Sequence, residues 1–225
     1  RCVVGTLCTM CNRITLTIPD AAMLQSMLGL DAQPEASALH VPRFNICPTQ
    51  EHWIITPQLP LRLVRAPWGL GPQRQLNQRV ETLAKRGLVS GTVPCAIPAD
   101  GFLEWEGPKQ DRRPVYFQQQ DHGLFLLAGV FDGHGFTVLT KPPDDVVAPV
   151  HDRMPVIMPA QGWRRWLSAP QGKAALPLLD VPPPGAPSVL TARRVSKRIN
   201  STAFDDPACL GPAEPPEQPR QLKLF

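Results

Sequence analysis

Twenty-eight of the 225 residues are proline, and their spread governs what this chain can build. Proline removes an N–H donor and fixes φ, so it interrupts helices and is excluded from central strands. The chain must assemble from many short elements joined by turns. Hydrophobic residues make up 43%, enough for a globular core at this length. The expectation is one domain, or one domain and a tail.

Alternation of apolar and polar residues predicts a strand at 14–18, and short runs bounded by turn residues predict further strands at 52–56, 61–65, 93–97, 101–105, 115–119, 124–131, 136–140, 156–158 and 188–195. Residues 98–101 read as a turn between two of them. Helices are expected from Ala21, with Asp20 as N-cap, to Leu30, and from Pro159 with Trp163 and Trp166 on one buried face. Residues 31–37 read as a polar loop, and 41–48 as an extended loop because of Pro42 and Pro48. The predicted class is a strand-dominated α+β domain with peripheral helices.

No apolar run is long enough to span a membrane, and no secretory signal opens the chain. A cytoplasmic protein with reduced thiols is expected. Arginine outnumbers lysine seventeen to six at a net charge of +4. That balance suits phosphate binding, but a GC-rich genome produces the same bias. Cys8 and Cys11 form a CxxC with no second pair, so a structural zinc is not expected. Cys47 and Cys95 lie in apolar runs and read as buried packing residues.

Six motifs occur in order: Met10-Cys11-x-Arg13; Arg43-Phe44-Asn45-x-x-Pro48-Thr49; Trp68-Gly69; Asn77-x-Arg79-x-Glu81-Thr82; Ile97-Pro98-Ala99-Asp100-Gly101-Phe102-x-Glu104-Trp105; and His151-Asp152-Arg153-Met154-Pro155. Together they resemble the SOS response-associated peptidase (SRAP) family. The resemblance covers residues 10 to about 205. Asn12 stands where that family usually has glycine.

The resemblance implies a barrel-like β-rich fold over 10–206. It also implies covalent capture of abasic sites in single-stranded DNA, by a monomer acting near the nucleoid without a cofactor. The nucleophile would be Cys11 as an N-terminal residue, since its amine and thiol together close a thiazolidine on an aldehyde. Residues 1–9 would then be an extension absent from, or removed in, the active form. Glu104 and His151 would move protons, and Asn77 would orient the sugar or the amine. Taken alone, Glu104 reads as an ion-paired strand carboxylate and His151 as a structural histidine. Beside Trp105, partial burial would raise the Glu104 pKa. Arg13 and Arg79 would hold phosphates, Trp68 would stack a base, and Pro48 would act as a wedge. Asn45 and Thr140 are weaker members of the DNA path. Arg153 reads equally as a phosphate ligand or as a partner of Asp152.

Residues 207–225 read as a disordered Pro-rich tail. It ends in Gln221, Leu222, Lys223, Leu224 and Phe225, which resemble the peptide by which bacterial repair proteins bind the sliding clamp. Two other functions stay open: a thiol peptidase or autopeptidase built on Cys11, His151 and Glu104, and a non-catalytic single-strand DNA module.

Overall fold

A computed structural model describes residues 12–159, 162–170 and 188–214, together with Pro177 and Leu179. Cys11, the extension before it and the terminal peptide with Gln221, Leu222, Leu224 and Phe225 lie outside the described residues. Among the described residues, two mostly antiparallel sheets carry the fold. The sheets do not close into a barrel.

The first sheet has the order β13-β8-β7-β1-β2, from β1 (Ile14–Leu16), β2 (Arg43–Ile46), β7 (Gly101–Glu106), β8 (Arg113–Gln119) and β13 (Leu190–Arg194). The second runs β11-β10-β9-β6-β3-β4, from β3 (Glu51–Ile55), β4 (Leu63–Pro67), β6 (Val93–Ala99), β9 (Phe125–Phe131), β10 (Phe136–Lys141) and β11 (Met154–Pro155). Here β12 (Ile157–Met158) adds to β9, and β5 (Asn77–Arg79) runs parallel to β10. One buried cluster draws on both sheets, including Ile14, Phe102 and Phe117 from the first and Ile54, Ile97 and Leu127 from the second. A smaller cluster of Leu103, Tyr116, Val195, Ile199 and Cys209 covers the other face of the first sheet.

Local rules explain several boundaries. Helix α1 (Ala21–Leu28) begins where the Asp20 carboxylate accepts the Met23 N–H at 2.8 Å. It stops two residues short of the expected Leu30 because Gly29 turns left-handed at φ 60° and closes the helix. The segment expected as a polar loop contains α2 (Pro34–Leu39), which starts on Pro34. Helix α4 (Trp163–Leu167) packs Trp166 into the core, with its indole N–H on the Cys95 carbonyl at 3.0 Å. Cys47 and Cys95 are buried thiols, and burial pushes the Cys95 thiol up. No helix of the described residues is long and apolar enough to cross a membrane.

Three expectations need correction. Residues 43–46 form a strand rather than a loop. The flanking prolines are tolerated because β2 lies at a sheet edge. Asp205 caps that edge by accepting the Phe44 and Asn45 N–H groups at 2.6 and 2.8 Å.

Residues 98–101 do not make a hairpin turn. The chain leaves β6 in one sheet and enters β7 in the other, with Asp100 at the crossing. The Asp100 carboxylate binds the hydroxyls of Thr15 and Thr17, which fastens β1 to the crossing. A Cβ on Gly101 would lie 2.2 Å from the Tyr116 ring, so only glycine fits.

Residues 207–214, expected as part of the tail, are packed on the domain. Pro207–Leu210 is a 3-10 turn that buries Cys209, and the Ser196 hydroxyl reaches Glu214 at 2.6 Å. The reason is the second cluster, which needs Cys209 to seal the first sheet's outer face.

Candidate active site

The site lies where the start of β1 meets β7 and β5. Ile14 pairs with Phe102, and the Leu103 N–H donates to the Arg13 carbonyl at 3.0 Å. Residues 12 and 13 therefore run beside 103 and 104. Alternation along β7 puts Glu104 on the same side as core Phe102, facing the second sheet, and Leu103 and Trp105 on the opposite side. The Glu104 side chain is 4% exposed.

His151 comes from the connector after β10, where its N–H donates to the Val147 carbonyl at 3.0 Å. Its Nε2 lies 3.9 Å from Glu104 Oε2. The Arg153 N–H donates to His151 Nδ1 at 3.0 Å. Nδ1 also stands 3.2 Å from the Arg153 carbonyl and from Asp152 Oδ1. Those contacts would need a proton on Nδ1; they are longer, and Asp152 is 81% exposed. The fixed direction of a backbone N–H decides for Nδ1 as acceptor, so the neutral ring carries its proton on Nε2, towards Glu104.

Asn77 enters from the second sheet. Strand β5 sits against β10 with Asn77 opposite Val138. The buried Asn77 amide donates from Nδ2 to Asn12 Oδ1 at 2.9 Å. Asn77, Glu104 and His151 thus gather around Asn12 and Arg13. Cys11 immediately precedes Asn12 in the chain and lies outside the described residues.

Arg13 lies over the Trp105 ring at 5.6 Å, and its NH1 donates to the Asn12 carbonyl at 3.0 Å. Trp105 is partly exposed, with its indole N–H on Asn200 Oδ1 at 2.6 Å. Arg79 is exposed and Pro48 is partly exposed, so both remain available to a strand passing the site.

Four members of the expected DNA path turn out to be structural. Trp68 is fully buried, stacked on Phe136, with its N–H on the Leu76 carbonyl at 2.8 Å. It offers no face to a base. The partly exposed aromatic at the site is Trp105. Asn45 is buried, and its Nδ2 reaches the carbonyls of Ser201 and Phe204 at 3.0 and 2.8 Å, which closes the loop over β2. Thr140 is buried on β10.

Arg153 pairs with Glu81 rather than with Asp152. Its buried guanidinium forms a two-pronged pair with Glu81 at 2.7 and 2.9 Å and donates to the Thr140 carbonyl at 2.6 Å. These hydrogen bonds hold the Glu81 carboxyl below its usual range. The pair works because residue 80 turns from strand β5 into helix α3 (Val80–Arg86), which swings Glu81 towards Arg153. Arg153 thereby fixes the backbone that presents His151.

Two contributors were missed from sequence. Asn12 reads only as a tolerated replacement for glycine, and its contact with Asn77 spans 65 residues. Trp105 follows Glu104 in the same motif, and its place on the opposite face of β7 from Phe102 is the local signal for it.

The family model for SOS response associated peptidase (SRAP) matches residues 10–202. Over 224 aligned residues the chain is 28% identical to the abasic site processing protein YoqW of Bacillus subtilis, covering 88% of this chain and 97% of that protein. It is 28% identical to YobE of the same organism, covering 71% and 82%. Among solved structures, a protein from Bacteroides thetaiotaomicron superposes with a TM-score of 0.74 at 18% identity, covering 91% of this chain and 100% of that one. A phage-related protein from Bordetella bronchiseptica gives 0.64 at 25% identity, covering 83% and 95%. The ordered motifs, the fold and the family match agree: this chain belongs to the SRAP family.

Proposed function

We propose that this protein binds single-stranded DNA and captures abasic sites covalently through Cys11, once Cys11 is the first residue of its chain. The observation that carries the reading is the approach of His151 to Glu104, which runs beside the strand starting at Asn12, with Asn77 bonded to Asn12, the residue after Cys11. The names of YoqW and YobE, as abasic site processing proteins, support the substrate class.

The chemistry needs both groups of an N-terminal cysteine. The α-amine, with a pKa near 8, adds to the ring-opened sugar aldehyde, and loss of water leaves an imine. The Cys11 sulfur then adds to the imine carbon while the thiol proton reaches the nitrogen. A five-membered thiazolidine results, with one water released overall and no oxidant consumed. Glu104 takes the amine proton and returns it to the leaving hydroxyl. His151, protonated at Nε2, donates to the sugar oxygen as the ring opens. Asn77 orients the sugar through its amide. Arg13, Arg79 and Pro48 guide the flanking strand. Autocleavage before Cys11 is the second reading, favoured by the same Glu104–His151 pair lying beside the strand that begins at Asn12.

A protein beginning at Cys11 should yield a heat-stable shifted band with a uracil-containing single strand treated with uracil glycosylase. Cys11→Ala should abolish the band. Crosslinking by uncleaved chain that retains residues 1–10 would overturn the amine's role. Cleavage at Met10–Cys11 that is lost in Glu104→Gln would establish the second reading. For the terminal peptide, deletion of residues 221–225 should abolish co-elution with the sliding clamp and leave crosslinking intact.

A further inference from the structure

A groove of about 380 Å³, outside the site just described, opens between two loops of the second sheet. One wall is the loop from Gly69 to Gln75, pinned as a tight turn by mutual Leu70 and Gln75 backbone bonds. The other wall is the β9–β10 turn at residues 132–135. Thr49, Pro72, Arg74 and His134 are among the lining residues.

The walls are braced as though to hold a shape. The Asp132 carboxylate accepts three backbone N–H groups: Gly71 at 2.9 Å, and His134 and Gly135 at 2.8 Å each. Burial alone would raise this carboxyl, but the three bonds hold it below its ordinary range. Both oxygens are occupied by the frame. A Cβ on Gly135 would lie 2.2 Å from the Gly69 carbonyl, so the two loops meet backbone to backbone.

Arg74 and His134 are exposed on this frame, and among the described residues neither side chain has an ion pair or hydrogen bond. Most arginines around the first sheet's outer face differ: Arg194 pairs with Glu106, and Arg198 with Asp206. Two lining residues, Thr49 at φ 71° and Arg74 at φ 49°, hold left-handed backbone without being glycine. For a β-branched residue such as Thr49 that conformation is costly.

The groove lies beside the proposed DNA path. The Thr49 N–H donates to the Trp68 carbonyl at 2.9 Å, which sets Pro48 at its rim. Gly135 is three residues along the chain from Val138, the residue opposite Asn77. That is about 10 Å at ~3.3 Å per residue, the axial rise of about three nucleotides of a stacked strand at ~3.4 Å each.

We propose that this groove is a second nucleotide subsite, which holds the phosphodiester backbone of single-stranded DNA flanking the lesion on the Pro48 side, with Arg74 as its phosphate ligand. The proposal rests on the single-strand reading above. Arg74 contributes a charge-assisted bond to one phosphate, His134 lines the opposite wall, and the braced loops keep the two from collapsing together.

The test uses the full chain and a single strand carrying a central tetrahydrofuran residue, an abasic analogue that has no aldehyde and cannot crosslink. Arg74→Asn keeps a side chain that tolerates left-handed backbone. It should weaken binding about fivefold at ~0.1 M salt and lower the slope of log Kd against log salt by about 0.7, the value for one phosphate on a single strand. Arg74→Lys should restore most of both. The Arg74→Asn effect should disappear with a strand truncated at the lesion on one side and persist with truncation on the other. An unchanged slope, or an effect that survives both truncations, overturns the subsite. If the parent chain binds no single strand at all, the underlying functional reading falls too, so the two failures are distinguishable.

Discussion

Asn77 donates its side-chain N–H to Asn12 Oδ1 at 2.9 Å, and both residues are buried. This bond joins the second sheet to the first residue of the described chain. It links the polar group assigned to orient the sugar with the backbone that leads to Cys11.

Breaking that bond should slow capture without unfolding the protein. A neutral hydrogen bond contributes about 0.5–1.5 kcal/mol, so Asn12→Ala and Asn77→Ala should each slow crosslinking at least twofold to tenfold. The double variant should be no slower than the worse single one. Single-turnover rates on abasic single strand check this, and strictly additive losses would dissolve the proposed coupling.

Glu104→Gln keeps the shape of the side chain and removes its basicity. A general acid/base contributes about 10²–10⁴-fold, so the crosslinking rate should fall by at least ~10²-fold while affinity for the tetrahydrofuran strand holds. A rate within threefold of the parent would assign Glu104 a structural role beside His151.

The Arg153–Glu81 pair predicts a loss of both stability and activity. Glu81→Ala leaves a buried guanidinium without its carboxylate. Full burial of such a pair would cost about 3–5 kcal/mol; with Glu81 47% exposed the expected cost is about 1–2 kcal/mol. That should lower Tm by about 2–8 °C for a chain of this size. Crosslinking should also slow, because Arg153 presents His151. A calorimetric scan and a rate measurement decide whether the two effects appear together.

Acid should destabilise the fold through His52. Burial pushes its pKa down from 6.5 to about 4, while its Nε2 meets the Pro98 carbonyl at 2.8 Å. The folded state therefore favours neutral histidine. The stabilisation is complete above pH 6.5 and is lost as pH falls from 6.5 towards 4, with a total of about 3 kcal/mol. Urea titrations at pH 7, 5 and 4 should show that decline, and His52→Gln should flatten it.

Gly101→Ala should be among the most damaging single-methyl additions in the chain. Its Cβ would overlap the Tyr116 ring, and overpacking costs typically about 1–3 kcal/mol. Combining it with Tyr116→Ala should relieve the overlap, so the double variant should fall short of the summed losses by more than ~0.5 kcal/mol. Equal Tm values for Gly101→Ala and the parent would show that the ring moves freely.

Much of the fold was legible because its signals are local. Short apolar runs bounded by turn residues marked strands β3, β8, β9 and β10, the Asp20 cap marked the start of α1, and the apolar face of Trp163 and Trp166 marked α4. Glu104, His151 and Asn77 were found through ordered motifs rather than through any property of each residue alone.

Other features depended on contacts between distant positions. Nothing local distinguishes the buried Trp68 from the partly exposed Trp105, yet one stacks on Phe136 and the other lies under Arg13. The Pro98–Gly101 segment reads as a turn, but strand pairing sends its two ends into different sheets. Arg153 looked available for a phosphate until α3 brought Glu81 to it. The sequence by itself determined the short-element architecture and the ordered motifs that single out candidate site residues, because period and residue chemistry act at close range. Only tertiary structure decided which polar groups are buried in pairs and which face solvent, because burial and ion pairing are set by strands far apart in the chain.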